Sequence, residues 1–332
     1  MSQKARQLIA AVGVVLLPVL QVLSATHVIH ENTAHDHVKI VVTTFAIYDW
    51  TRQILGERLV EADLVLLQRG GVDLHSYSPS AADLRKIASC NLFVFVGGES
   101  DEWAERALVQ QDKPNRRVLN LLKTLGSAVK DEESAEVMQH GHCHDKNHDH
   151  DGHAWDKDEH VWLSLRNAAT IVKTIAANLV ALDSANAATY RANAAAYRER
   201  LATLDGAYAK TVAQAARKTI LVADRFPFRY LADDYGITYF AAFAGCSAES
   251  EASFKTIAFL AKKVDEFKLP VILTIEGTTH RIAETVRRTT KSRDQRILTL
   301  DSLQSIDVEA AKTTRYLDVM ERNLEALKAA LE

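Results

Sequence analysis

Leu92-Phe93-Val94-Phe95-Val96 carries no polar side chain and is closed by Gly97-Gly98. A strand that is apolar at every position, instead of every second one, has to be covered on both faces, as in a parallel sheet between two layers of helices. The surrounding stretches fit that frame. Val38 to Val42 is a β-branched run, residues 48–55 follow with helical spacing, and Leu59 to Leu67 and Val118 to Leu121 read as further strands. Strand and helix alternate, so the first half of the chain is α/β. The second half repeats the pattern, with strands expected at 219–223, 237–240, 271–275 and 297–300 and a closing helix over 308–331. Between the halves, residues 184–216 are rich in alanine and carry Tyr190, Tyr197, Leu201, Leu204 and Tyr208. That spacing predicts an unbroken helix of roughly 45 Å, at about 1.5 Å per residue, long enough to brace two domains.

A chain of 332 residues is long enough for two domains. The net charge of −3 excludes a broad nucleic-acid surface, which needs clustered Lys and Arg. Residues 1–25 have their own composition: Lys4 and Arg6 precede the apolar run Leu8 to Leu23, and Val22-Leu23-Ser24 suits a cleavage site. They read as a secretory signal peptide. The apolar run is short of the roughly 20 residues of a spanning helix, which disfavours an uncleaved anchor. No cysteine follows the run to carry a lipid, so the expected location is the periplasm. Cys90 and Cys246 sit in apolar surroundings and read as buried thiols, while Cys143 sits among histidines and could lend a thiolate to a metal.

In open parallel sheets, ligands gather at the carboxyl ends of the strands, where loops converge on a rigid scaffold. His75 lies on a turn after the second strand, and Asp224, Glu276 and Asp301 each directly follow a strand run. Singly, each has an ordinary reading as a turn residue or a helix cap. Together with His160 they form a donor set for a divalent cation, imidazole and carboxylate suiting zinc or manganese. Residues 131–159 are acidic, rich in histidine and too poor in apolar side chains to order themselves. This segment holds His140, His142, Cys143, His144, His148, His150 and His153. It reads as a loop that binds zinc loosely and raises its concentration near a fixed site. No His-Glu-x-x-His helix and no Ser or Cys nucleophile motif is present. An enzyme is therefore not expected; the weaker alternatives are a secreted zinc-dependent hydrolase using Glu159 or Glu276 as base, and a receptor for an organic anion using Arg225 and Arg229.

The motifs Thr43-Thr44-Phe45, Val72-Asp73-Leu74-His75-Ser76-Tyr77, Glu159-His160-Val161-Trp162-Leu163, Glu249-Ser250-Glu251-Ala252-Ser253, Thr274-Ile275-Glu276 and Leu300-Asp301-Ser302, with the histidine-rich insertion, run through most of the chain. As a set they resemble the metal-specific solute-binding proteins of bacterial ABC transporters, the zinc and manganese receptor family. The resemblance implies two α/β lobes, each with a mainly parallel sheet flanked by helices: 38–182 with the loop at 131–159, and 217–332. One rigid helix at 184–216 joins them, and a metal lies in the cleft between. It implies His75 and His160 as ligands from the first lobe and Asp301 from the second. The family's third histidine falls on Arg225, which cannot ligate a cation. Asp224 or His280 could supply the missing donor, with Glu276 within reach but more structural in character. The implied cargo is zinc, with manganese as the alternative, the implied partner is an ABC-transporter permease, and the expected state is a monomer.

Overall fold

The computed structural model describes residues 37–67, 74–110, 113–132, 157–245 and 251–332. The expected signal peptide, the loop residues 140–153 and Cys246 lie outside the described residues.

Two four-stranded parallel sheets organise the chain. The first has the order β2-β1-β3-β4, from β1 (Val38–Val42), β2 (Ala62–Leu66), β3 (Leu92–Phe95) and β4 (Arg117–Asn120). The second has the order β6-β5-β7-β8, from β5 (Thr219–Phe226), β6 (Thr238–Ala244), β7 (Val271–Ile275) and β8 (Arg296–Leu300). In each sheet the chain turns outward on both sides of its first strand. The crevice forms where the order reverses, beyond the carboxyl ends of β1 and β3 and of β5 and β7.

The continuous apolar run has the predicted consequence. Ile40, Val42, Leu92 and Val94 face one core, and Val41, Phe93 and Phe95 face another on the opposite side of the same sheet. The second sheet divides likewise, with Ile220, Val222 and Leu273 on one side and Leu221, Ala223 and Ile272 on the other. The larger core is shared by the lobes and includes Tyr190, Tyr197, Leu201, Leu204 and Tyr208 of the helix Ala187–Gln214. That helix spans about 42 Å at 1.5 Å per residue and begins after a short 3-10 turn at Ser184–Asn186.

Several boundaries differ from the sequence expectation for local reasons. Ser80 caps the helix Ala81–Ser89, in a capping box closed by Asp83. Residues Gly56–Glu61 form a 3-10 turn, so β2 starts only at Ala62. β5 continues past Ala223 to Phe226 through a register shift between Val222 and Arg225, which puts Asp224 inside the strand. The closing helix is divided into Val308–Thr313 and Tyr316–Leu331. Arg52 and Asp49, from the helix Phe45–Leu55, sit at the break. The Arg52 guanidinium donates to the carbonyls of Ala311, Lys312 and Thr314 at 2.7, 2.6 and 2.5 Å, and Asp49 accepts from the amide of Tyr316 at 2.8 Å. These bonds satisfy carbonyl and amide groups that an unbroken helix would have paired internally. Cys90 is buried, and burial pushes its thiol up to about 11. No described helix is long and apolar enough to cross a membrane.

Candidate metal centre

His75 lies on the 3-10 turn Leu74–Ser76, and His160 immediately precedes the 3-10 turn Val161–Leu163. Separated by 85 positions in the chain, the two imidazoles meet with ring centroids 5.4 Å apart and planes inclined at 60°.

Each ring is oriented through Nδ1. His160 is fully buried; its Nδ1 lies 2.9 Å from Asp158 Oδ1, which also accepts the His160 amide at 2.9 Å. A carboxylate oxygen in this position only accepts, so the ring proton is placed on Nδ1 and Nε2 carries the lone pair. His75 Nδ1 lies 2.6 Å from Ser100 Oγ and 3.6 Å from Glu159 Oε2. Glu159 is 2% exposed, and its Oε1 accepts the Ser100 amide at 2.9 Å. Burial pushes the Glu159 carboxyl upward, against bonds from the Ser100 hydroxyl and amide that favour its charged form. Gly98, at φ +84°, lies directly under this carboxylate: a Cβ there would come within 2.2 Å of Glu159 Oε1.

Asp158 is fixed from behind as well. Its amide donates to the carbonyl of Lys130 at 2.9 Å, and the Tyr230 hydroxyl donates to its carbonyl at 2.8 Å while accepting the Lys130 amide at 3.0 Å. An isolated antiparallel bridge joins Asp131 to Lys157, with an ion pair between their side chains. The two ends of the histidine-rich segment are therefore held together two to three residues from His160.

The second lobe touches this site at the His160 ring. A Cβ on Gly245, just past β6, would stand 3.3 Å from His160 Cε1 and 2.9 Å from the Phe226 carbonyl oxygen, so only glycine permits this approach. The Trp162 ring packs edge-on to His160 with centroids 5.4 Å apart, and its indole N–H donates to the Ser302 carbonyl at 2.8 Å.

The remaining sequence candidates occupy two groups in the second lobe. Asp301 follows β8, and its Oδ1 accepts the amide of Leu303, a buried residue at φ +66°. Burial and the neighbouring Glu276 push the Asp301 carboxyl up to about 6. Glu276 is engaged by the same loop: Oε2 accepts the Ser302 amide at 2.7 Å, and Oε1 accepts the Ser302 hydroxyl at 2.6 Å and the Gln304 amide at 3.3 Å. Its oxygens organise the loop that carries Asp301. Asp224 and His280, alternatives in the sequence, lie close to each other. Burial raises the Asp224 carboxyl, opposed by bonds from the Arg225 amide and the Thr278 hydroxyl and by the charge of Arg225 and His280. His280, at φ +55° before the helix Arg281–Thr289, places Nδ1 2.8 Å from Thr274 Oγ1. Among the described residues, no three His, Cys, Asp or Glu side chains are gathered closely enough to enclose a metal ion. What the fold assembles is the imidazole pair.

The family described as "Zinc-uptake complex component A periplasmic" matches residues 40–330. The chain belongs to that family. Among relatives of the zinc-uptake component A family, it is 31% identical over 301 residues to the zinc-binding lipoprotein AdcA of Streptococcus pneumoniae. That match covers 90% of this chain and 57% of the relative, so the chain spans little more than half of the pneumococcal protein's length. It is 30% identical over 296 residues to the high-affinity zinc uptake system protein ZnuA of Bacillus subtilis, covering 89% and 88% of the two chains. The crystal structure of the Zn(II)-bound ZnuA-like domain of pneumococcal AdcA superposes with a TM-score of 0.68 at 29% identity, covering 89% of this chain and 99% of that one. The two-lobed architecture with its long helix is thus the architecture of this family.

Sequence reasoning named both histidines and the three strand-end carboxylates. It gave no role to Ser100 or Asp158, and it took Glu159 only as a possible catalytic base. The signal available was local: two consecutive carboxylates before His160, at the entrance to the wholly buried run Val161-Trp162-Leu163.

Proposed function

We propose that this chain is an extracytoplasmic zinc receptor that captures the ion between its lobes and hands it to the permease of an ABC transporter. The observation that carries this reading is the meeting of the His75 and His160 rings, each held through Nδ1 by a side-chain partner. Zinc follows from the imidazole donors and from the zinc-binding relatives; a harder oxygen set would favour manganese. The second lobe completes the coordination through Asp301, the residue before Ser302, whose carbonyl accepts the Trp162 indole N–H, with Asp224 and His280 as further donors. Two neutral imidazoles and two carboxylates balance a divalent charge, which removes the main cost of holding an ion out of water. The histidine-rich segment, rooted beside His160, gathers ions near the cleft. The domain division is the first lobe at 38–182, the joining helix at 184–216 and the second lobe at 217–332, with the protein exported by residues 1–25 and acting as a monomer.

Calorimetric titration of the protein with zinc, manganese and small organic anions tests the reading. One tight zinc site with weaker manganese binding is expected. Tight binding of an anion without metal would instead support the organic-anion receptor.

A further inference from the structure

Ser100 sits between two groups that the sequence gave no reason to connect. Its hydroxyl has one hydrogen to donate. The acceptor at hand for it is the Glu159 carboxylate, whose Oε1 takes the Ser100 amide at 2.9 Å and whose Oε2 lies 3.6 Å from His75 Nδ1. The hydroxyl oxygen then meets His75 Nδ1, at 2.6 Å, with a lone pair and not with a hydrogen. With the hydroxyl hydrogen drawn to the carboxylate, the ring nitrogen is the donor of this bond. Glu159 Oε2, 3.6 Å from the same nitrogen, favours the same polarity.

We propose that Glu159, acting through the Ser100 hydroxyl, is a positioning residue that holds the His75 proton on Nδ1 and so fixes which nitrogen His75 offers to a divalent cation. His160 is served in the same way by Asp158, the residue just before Glu159. Two adjacent carboxylates on one stretch of backbone therefore set the tautomers of both imidazoles, and a ligand pair far apart in sequence is aligned from a single tripeptide. Partners of this kind commonly change metal affinity about 10–100-fold when removed, because they set ring orientation and ligand basicity. Glu159 carries this role from beneath: the turn at Gly97-Gly98, with Gly98 at φ +84°, leaves space for its side chain that any Cβ would fill.

The cation in this inference rests on the proposed zinc function, but the tautomer does not. In the metal-free protein, the ring nitrogen shifts of His75 are read by two-dimensional 15N NMR, with the signal assigned by its loss in His75→Gln. The native ring is expected as the Nδ1–H form, and Glu159→Gln and Ser100→Ala are expected to move it toward a mixture of tautomers. Zinc affinity, measured by competition with a chelating dye, is expected to fall about 10–100-fold in Glu159→Gln with the thermal midpoint of the metal-free protein little changed. An unchanged tautomer in both variants overturns the inference, whatever the affinity does, since Glu159 would then act only on the fold. A shifted tautomer with unchanged zinc affinity also overturns it. Failure of the native protein to bind zinc would count against the proposed function and leave the tautomer result standing.

Discussion

The indole N–H of Trp162 donates to the carbonyl of Ser302 at 2.8 Å, joining a residue two positions beyond His160 to the residue directly after Asp301. One hydrogen bond thus spans the lobes beside a candidate donor of each. Trp162→Phe keeps the ring and removes the donor, at an expected stability cost of about 1 kcal/mol for the bond and more if the buried carbonyl stays unpaired. Zinc affinity is expected to drop by less than in a histidine variant. Urea unfolding paired with calorimetry checks both effects.

His75→Ala and His160→Ala are each expected to abolish tight zinc uptake, because two imidazoles from one lobe form the nucleus of the site. Deletion of residues 140–153 is expected to reduce the number of ions bound and to preserve the tightest. Equilibrium dialysis with metal counting separates the two outcomes, and loss of the tight site in the deletion would refute the division between cleft and segment.

Asp301→Asn is expected to weaken zinc binding at least tenfold, and Asp224→Asn by less, since Asp301 is the donor linked to His160 through Trp162. A larger loss in Asp224→Asn, matched by His280→Ala, would move the second-lobe contribution to that group. Glu276→Gln is expected to act on stability, because both carboxylate oxygens accept bonds from residues 302–304.

Asp101 supplies a pH dependence that does not involve the metal. Its Oδ2 accepts the amides of Val96 and Gly97, yet burial, together with the nearby Glu159, pushes the carboxyl up to about 7. A folded-state value above the unfolded one of 3.8 means that the folded protein holds the proton more tightly. The stabilisation from this group is complete below the unfolded value and is lost as pH rises through about 7. A rise of roughly three units corresponds to at most about 4 kcal/mol. Asp101→Asn is expected to flatten the decline in stability between pH 5 and 8, as read from chemical unfolding across that range.

The sheets were legible because β3 is apolar at every position, which leaves one burial pattern available, and because strand-like and helix-like runs alternate around it. The two histidines were legible as candidate donors from their residue type and places in the chain, and the family resemblance added that they act as a pair, since nothing in local spacing brings residue 75 to residue 160. Asp224 was misplaced at the end of a strand because a register shift leaves no mark in composition. The break at residues 314–315 was missed for a related reason: the helix ends where a guanidinium 260 positions away takes its carbonyls, a partner that no window of sequence contains.

The Arg52 cluster also limits how the molecule can move. Together with the helix Ala187–Gln214, it gives the lobes two separate moorings, one along a rod and one at the Ala311–Tyr316 crossing. A wide clamshell swing would have to tear several buried bonds at once, so under the proposed receptor function an ion would enter and leave by shifts of the rim around Gly245, Leu303 and the 74–76 turn, with the two halves staying almost still.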